Sequence, residues 1–191
     1  RYYVDKTPYL KTVFSEDEAV DDKSLINGTT VLLLTRPRRF GKTLLMSMFE
    51  SFLKISAKEP GNITKHLNYF KGTKILEDKE FCKKYMGQFP VISITLKDVL
   101  GDDFESAYLK LAEVVSAKAN EFSFLKESPY LNEMEKAKFN LLCDEIYLKK
   151  ADKQAISYVT SAIKSLSLML YKHFNKQVYI LIDEYDVPLA K

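Results

Sequence analysis

The chain has no tryptophan, only two cysteines and two histidines, and no apolar run that approaches a membrane span. Each scarcity excludes something. Cys82 and Cys143 lie far apart and form no Cys-x-x-Cys pair, which argues against a zinc cluster and for a reducing compartment. His66 and His173 are too scattered to suggest a metal site. No signal peptide and no spanning segment is read, so a cytoplasmic location without membrane association is the expectation. A net charge of +3 is too small to argue for nucleic acid on its own. There is neither an internal repeat nor a low-complexity linker, and 191 residues suffice for one domain with a sizeable core. Because the chain starts at Arg1 rather than Met and stops soon after Ile182, we expect residues 1–191 to be an N-terminal fragment.

What the sequence does have is a series of compact apolar runs separated by long helical patterns. Val31–Leu34 is a continuous apolar run of the kind covered on both faces of a parallel sheet. Pro90 to Leu96 is rich in β-branched residues, and Val178–Ile182 is the third strong strand. Tyr2 to Phe14 reads as extended or loop-like with Pro8 as a breaker, and the acidic stretch from Ser15 to Asn27 reads as surface. A helix is expected from Gly41 to about Ile55, with Leu44, Leu45, Met48, Phe49 and Phe52 on its apolar face and Lys58 to Gly61 ending it. Shorter helices are expected from Asn62 to Tyr69 and from Glu77 to Tyr85. Asp102 to Glu105 resembles a capping box opening a helix to about Asn120, with a buried stripe of Phe104, Tyr108, Leu111, Val114 and Val115. Two further helices are read from Tyr130 to Lys149 and from Asp152, as cap, to Phe174. Strands separated in this way predict parallel pairing in an α/β sandwich, with ligands beyond the carboxyl ends of the strands.

Two motifs stand at such ends. Arg36 through Thr43 follows the first strand, and Gly41, Lys42 and Thr43 fill the last three positions of the phosphate-loop pattern G-x-x-x-x-G-K-S/T. That pattern turns backbone N–H groups inward around a phosphate, supplies a lysine to the β- and γ-phosphates, and offers a hydroxyl to Mg²⁺. The first glycine is replaced by Arg36, and Arg38 and Arg39 crowd the same loop. The plainer alternative is a helix start with a solvated lysine, and arginines engaged in surface ion pairs or partner contacts. At the third strand's end, Asp183 can hold Mg²⁺ and Glu184 can orient the attacking water. A solvated acidic turn is the alternative for the pair, and Asp186 reads as a turn residue. Tyr2 and Tyr3 can stack on a base or pack locally, and Asp98 reads as a turn or cap residue near the site.

Three segments together carry a resemblance. Tyr3-Val4-Asp5-Lys6-Thr7, then Leu34 through Leu45, then Leu181-Ile182-Asp183-Glu184-Tyr185-Asp186-Val187-Pro188-Leu189 resemble the predicted AAA-ATPase-like family of bacterial P-loop proteins. Phe70-Lys71-Gly72 and Tyr85 through Val91 resemble its connecting pieces, so the likeness spans nearly the whole chain. The arginine-rich loop that lacks the first glycine is that family's habit. The resemblance implies a three-layer α/β P-loop NTPase core with a mostly parallel sheet, incomplete at its C-terminus. It also implies ATP and Mg²⁺ binding. Residues Arg36, Pro37, Arg38, Arg39, Phe40, Gly41, Lys42, Thr43 and Leu44 would form the nucleotide loop, with Lys42 on phosphate. Thr43 and Asp183 would bind Mg²⁺, and Glu184 would be the hydrolytic glutamate beside Lys42. Family members often carry a downstream PD-(D/E)XK nuclease domain, which is not found in this chain. In related ATPases a sensor-bearing strand follows the acid pair, and the chain ends before one, so weak binding and poor hydrolysis by the fragment alone are expected.

The expected function is therefore ATP binding and hydrolysis, with an arginine from elsewhere completing the site and Arg38 or Arg39 in cis as the alternative. Adenine is favoured because no N-K-x-D guanine-reading motif is present. One rival is a nucleotide-switched module coupled to a nuclease or other partner with little turnover. Another is a nucleic-acid binder using the loop arginines. Oligomerisation is open.

Overall fold

The computed structural model describes residues 5–15 and 41–187. The expected strand Val31–Leu34, the acidic segment after Ser15, Tyr2 and Tyr3, and loop residues Arg36, Pro37, Arg38, Arg39 and Phe40 lie outside the described residues. The protein is α/β, with two compact units, Arg1–Gln88 and Phe89–Lys191.

The first unit is helical among its described residues, with α1 at Pro8–Ser15, α2 at Lys42–Leu53, α3 at Thr64–Tyr69 and α4 at Lys79–Tyr85. A 3₁₀ turn at Lys74–Glu77 precedes α4. Pro8 does not break structure, as expected from sequence, but opens α1. Proline's missing N–H costs nothing at the first helical position, where that donor has no partner anyway. Leu10 and Phe14 of α1 are buried, and the Phe14 ring centroid lies 4.5 Å from Tyr85 and 5.8 Å from Phe81. Lys11 also bridges to Asp78, the α4 N-cap, at 2.5 Å.

Helix α2 buries Leu45, Phe49, Phe52 and Leu53. Leu44, expected on that face, is exposed, because its position in the first turn projects away from the buried stripe. The helix stops at Leu53, two residues before the expected end near Ile55 and ahead of the Lys58 to Gly61 stretch. Its end is fixed by partners elsewhere in the unit. His66 Nε2 donates to the Lys54 carbonyl at 2.9 Å, and the Gly87 N–H donates to the Phe52 carbonyl at 2.7 Å. Carbonyls at a helix end have no partner within the helix, so these bonds act as a C-terminal cap supplied in trans.

The second unit holds β1 at Val91–Thr95 and β2 at Tyr179–Asp183, paired in parallel from Val91↔Tyr179 to Thr95↔Asp183. Parallel strands need a long crossover, and here it is α5 at Phe104–Glu121, α6 at Glu133–Cys143, α7 at Glu145–Leu148, α8 at Lys153–Thr160 and α9 at Ala162–Phe174. Ile92 and Ile94 of β1 join Tyr108, Val115, Phe139, Leu142, Leu166 and Leu170 in one core. Strand β2 is apolar in sequence but unevenly covered: Ile180 and Ile182 are 44% and 40% exposed.

Capping explains the other departures. Asp103, not Asp102, caps α5, its Oδ1 accepting the Ser106 N–H at 2.8 Å. The buried stripe of α5 is Tyr108, Ala112, Val115, Ser116 and Ala119. Phe104 occupies the first turn, beyond the core, and is 75% exposed, while Leu111 and Val114 flank the stripe and are half-buried. A full capping box is present instead at Asn132 and Glu135, which exchange side-chain-to-backbone bonds at the start of α6. The helix expected over Tyr130 to Lys149 is interrupted at Asp144, which caps α7 by accepting the Tyr147 N–H. The helix capped by Asp152 is interrupted at Ser161, whose hydroxyl donates back to the Ser157 carbonyl at 2.8 Å. Short polar side chains compete with the helical ladder in this way.

Gly87 sits at φ +65°, and a Cβ there would lie 2.9 Å from Cε1 of the buried, hydrogen-bonded His66 ring. Gly87→Ala should therefore combine backbone strain with overpacking and destabilise the first unit by about 2–4 kcal/mol in urea melts followed by circular dichroism. In the second unit, His173 Nδ1 pairs with the buried Ser128 hydroxyl at 2.8 Å among Phe124, Tyr130 and Phe174. Burial lowers the His173 pKa from its ordinary value. The neutral ring is thus favoured by the fold, so its contribution is fully present above a pH of about 6.5 and is lost as pH falls through the lowered value. The urea midpoint of the second unit should drop between pH 7.5 and 5, and His173→Phe should flatten that slope.

Candidate functional site

The expected site residues fall in both units: Gly41, Lys42, Thr43 and Leu44 in the first, Asp183 and Glu184 in the second. Gly41 is the N-cap of α2 with φ 77° and ψ 33°, left-handed backbone that glycine adopts without penalty. The Leu45 N–H donates to the Gly41 carbonyl at 3.0 Å, so the helix begins at once. Lys42 is half-buried and Thr43 exposed on the first turn. An N-terminal helical turn presents backbone N–H groups that no carbonyl within the helix can satisfy, and the helix dipole favours an anion there.

Beside Gly41 stands a residue to which the sequence reading gives no role. A Cβ added at Gly41 would lie 3.2 Å from Lys6 Nζ, so the Lys6 ammonium packs against the glycine. Its neighbours are fixed by a clamp. Asp5 accepts the Thr7 N–H through Oδ1 at 2.9 Å and the Lys74 N–H through Oδ2 at 2.8 Å. The buried Thr7 hydroxyl accepts the Ile75 N–H at 3.2 Å. Burial pushes the Asp5 carboxyl upward, but the hydrogen bonds from the Lys74 and Thr7 amides outweigh it and hold the pKa below the ordinary aspartate value. The signal in the sequence was the unbroken polar triplet Asp5-Lys6-Thr7 immediately before Pro8, but its contact with Gly41 is tertiary.

In the second unit, Asp183 ends β2 in register with Thr95 at the end of β1. The Leu96 N–H donates to the Asp183 carbonyl at 3.0 Å, extending the ladder to the last strand residue. Asp183 Oδ1 accepts the Glu184 N–H at 3.0 Å. Glu184 itself has φ 55°, a left-handed conformation that is uncommon for a side-chain-bearing residue. The chain thus turns sharply after Asp183, and the Asp183 carboxylate braces that turn. Left-handed residues of this kind cluster at functional sites. Parallel partners in register project to the same face, so the Thr95 hydroxyl is a further polar group beside Asp183 that sequence reading passed over.

Taken separately, the Asp183 carboxylate at its strand end and the Thr43 hydroxyl on the first turn of α2 are each hard oxygen donors, the ligand type that Mg²⁺ takes. Among the described residues no three His, Cys, Asp or Glu side chains form a metal cluster of their own. Also among the described residues, no helix is long and apolar enough to cross a membrane.

Gly41 disfavours a side chain through its backbone angle, since the nearest atom a Cβ would meet is the movable end of Lys6. Gly41→Ala should destabilise the start of α2 by about 1–2 kcal/mol, read as a lowered urea midpoint of the first unit. Neither a curated protein nor a solved structure matches the chain. The match that is found covers residues 1–191 in full, so the chain belongs to the AAA-ATPase-like family, described as predicted AAA-ATPase.

Proposed function

We propose that the protein is a three-layer P-loop NTPase domain spanning residues 1–191 that binds and hydrolyses ATP with Mg²⁺. The observation that carries this reading is the left-handed Gly41 capping α2 directly before Lys42 and Thr43, in a chain of the AAA-ATPase-like family. The α2 N-terminal amides would take phosphate oxygens, and the Lys42 ammonium would follow charge onto the transferring phosphoryl group. Thr43 and Asp183 would hold Mg²⁺, which when bound neutralises charge on the β- and γ-phosphates. Glu184, set apart from Asp183 by the left-handed turn, would orient a water for in-line attack at the γ-phosphorus and accept its proton. The bond to the β–γ bridging oxygen then breaks, giving ADP and inorganic phosphate. Arg36, Arg38 and Arg39 belong to the same reading as contacts to the phosphates.

Isothermal titration of MgATP beside a phosphate-release assay tests this. Lys42→Ala should weaken MgATP binding by about tenfold or more. Glu184→Gln should retain binding and lower turnover by about a hundredfold. Wild-type protein that fails to bind MgATP would overturn the proposal. Turnover unchanged in Glu184→Gln would remove that residue from the chemistry.

A further inference from the structure

We propose that Thr95 is a positioning residue of the metal site, its hydroxyl holding a water of a hydrated Mg²⁺ whose carboxylate ligand is Asp183. The inference rests on the reading of Asp183 as a Mg²⁺ ligand and adds to it a residue from the neighbouring strand.

The ladder sorts its side chains by chemistry. Successive strand residues project to opposite faces, and parallel partners in register project to the same one. Ile92, Ile94, Ile180 and Ile182 therefore share one face, where Ile92 and Ile94 join the core. Ser93, Thr95, Tyr179 and Asp183, all the residues of the two strands that carry a polar group, share the other. Packing against the core explains the isoleucines. It does not explain a hydroxyl and a carboxylate side by side at the carboxyl end, where open α/β sheets bind their ligands.

Register fixes that pair. Thr95 stands opposite Asp183, and the Leu96 N–H donates to the Asp183 carbonyl at 3.0 Å, so the ladder holds both strand ends up to and past the pair. Adjacent strands lie about 4.8 Å apart, a gap that one bridging water spans. The two side chains are also oriented by the turns that follow them. Asp183 Oδ1 accepts the Glu184 N–H at 3.0 Å, and Thr95 Oγ1 accepts the Lys97 N–H at 3.4 Å. The bond from Lys97 occupies a lone pair of the hydroxyl and leaves its proton to be donated, on a side chain that is exposed.

The chemistry suits the ion. Mg²⁺ gives up its waters reluctantly and is bound through one or two carboxylates. Groups that bond its waters then set its orientation, as outer partners do at other metal sites. A neutral hydroxyl does this without adding charge to the site.

The test titrates a fluorescent ATP analogue into the full chain, once with Mg²⁺ and once with EDTA. The proteins are wild type, Thr95→Val, Thr95→Ser, Ser93→Ala and Asp183→Asn, with melting temperatures of the nucleotide-free forms. The ratio of the two affinities is the gain due to the metal. Thr95→Val should cut that gain about fivefold, at unchanged affinity in EDTA and unchanged melting temperature. Thr95→Ser should recover most of it. Ser93 lies on the same face but about 6.6 Å back along the strand, so Ser93→Ala should match the wild type. Thr95→Val that keeps the full gain while Asp183→Asn loses it would overturn the Thr95 assignment and leave Asp183 standing. A loss that appears equally in EDTA, tracks a lowered melting temperature, is not recovered by Thr95→Ser or is reproduced by Ser93→Ala would also overturn it, by making Thr95 structural. Wild-type protein that binds the analogue with no gain from Mg²⁺ would overturn this inference together with the metal role of Asp183. Wild-type protein that does not bind the analogue at all would overturn the nucleotide reading as well.

Discussion

Asp5 and Thr7 place their oxygens on the backbone amides of Lys74 and Ile75, and the first unit is organised around that tie. It brings α1 onto the turn that precedes α4, buries Leu10 and Phe14, and seats Phe14 against Tyr85. The same tie anchors Lys6 next to Gly41. Side-chain acceptors do here what a strand ladder does elsewhere, since a buried amide without a partner would cost about 1–3 kcal/mol. The C-terminal end of α2 follows the same logic, with His66 and Gly87 supplying donors to its last carbonyls.

In the second unit the organising element is the parallel ladder from Val91↔Tyr179 to Thr95↔Asp183. It ends with two polar side chains adjacent and with Glu184 in a left-handed turn. An α/β chain concentrates chemistry at strand carboxyl ends because the turns there are free to vary while the ladder fixes their origin. Asp183 illustrates both halves of that rule: its carbonyl belongs to the ladder and its carboxylate to the turn.

Apolar runs made much of this legible from sequence. β1, β2, α2, α5 and the position of Asp183 at a strand end follow from short β-branched stretches and from helical spacing of large apolar residues. The misread features depend on single side chains or on tertiary contact. Pro8 breaks a helix in its interior and starts one at its first position, and composition does not tell the two apart. Asp144 and Ser161 interrupt long helical patterns through local hydrogen bonds that leave the apolar periodicity intact. The open face of β2 at Ile180 and Ile182 is invisible to a pattern that records only hydrophobicity. Lys6 meets Gly41 across more than thirty residues of sequence, so spacing could not assign it.

The two cysteines fall one to each unit. Cys82 is buried, and its thiol donates to the Ile75 carbonyl at 3.2 Å, on the residue whose amide Thr7 holds. Cys143 is half-buried at the end of α6, where its carbonyl accepts hydrogen bonds from Ser116 and Asn120. Burial raises the pKa of both thiols, so both are slow nucleophiles while the fold is closed. Alkylation of the buried Cys82 then proceeds through openings that release the Thr7–Ile75 contact, whereas the half-buried Cys143 needs no such opening. Native-state labelling of Cys82 thus reads the opening free energy of the first unit without an added probe.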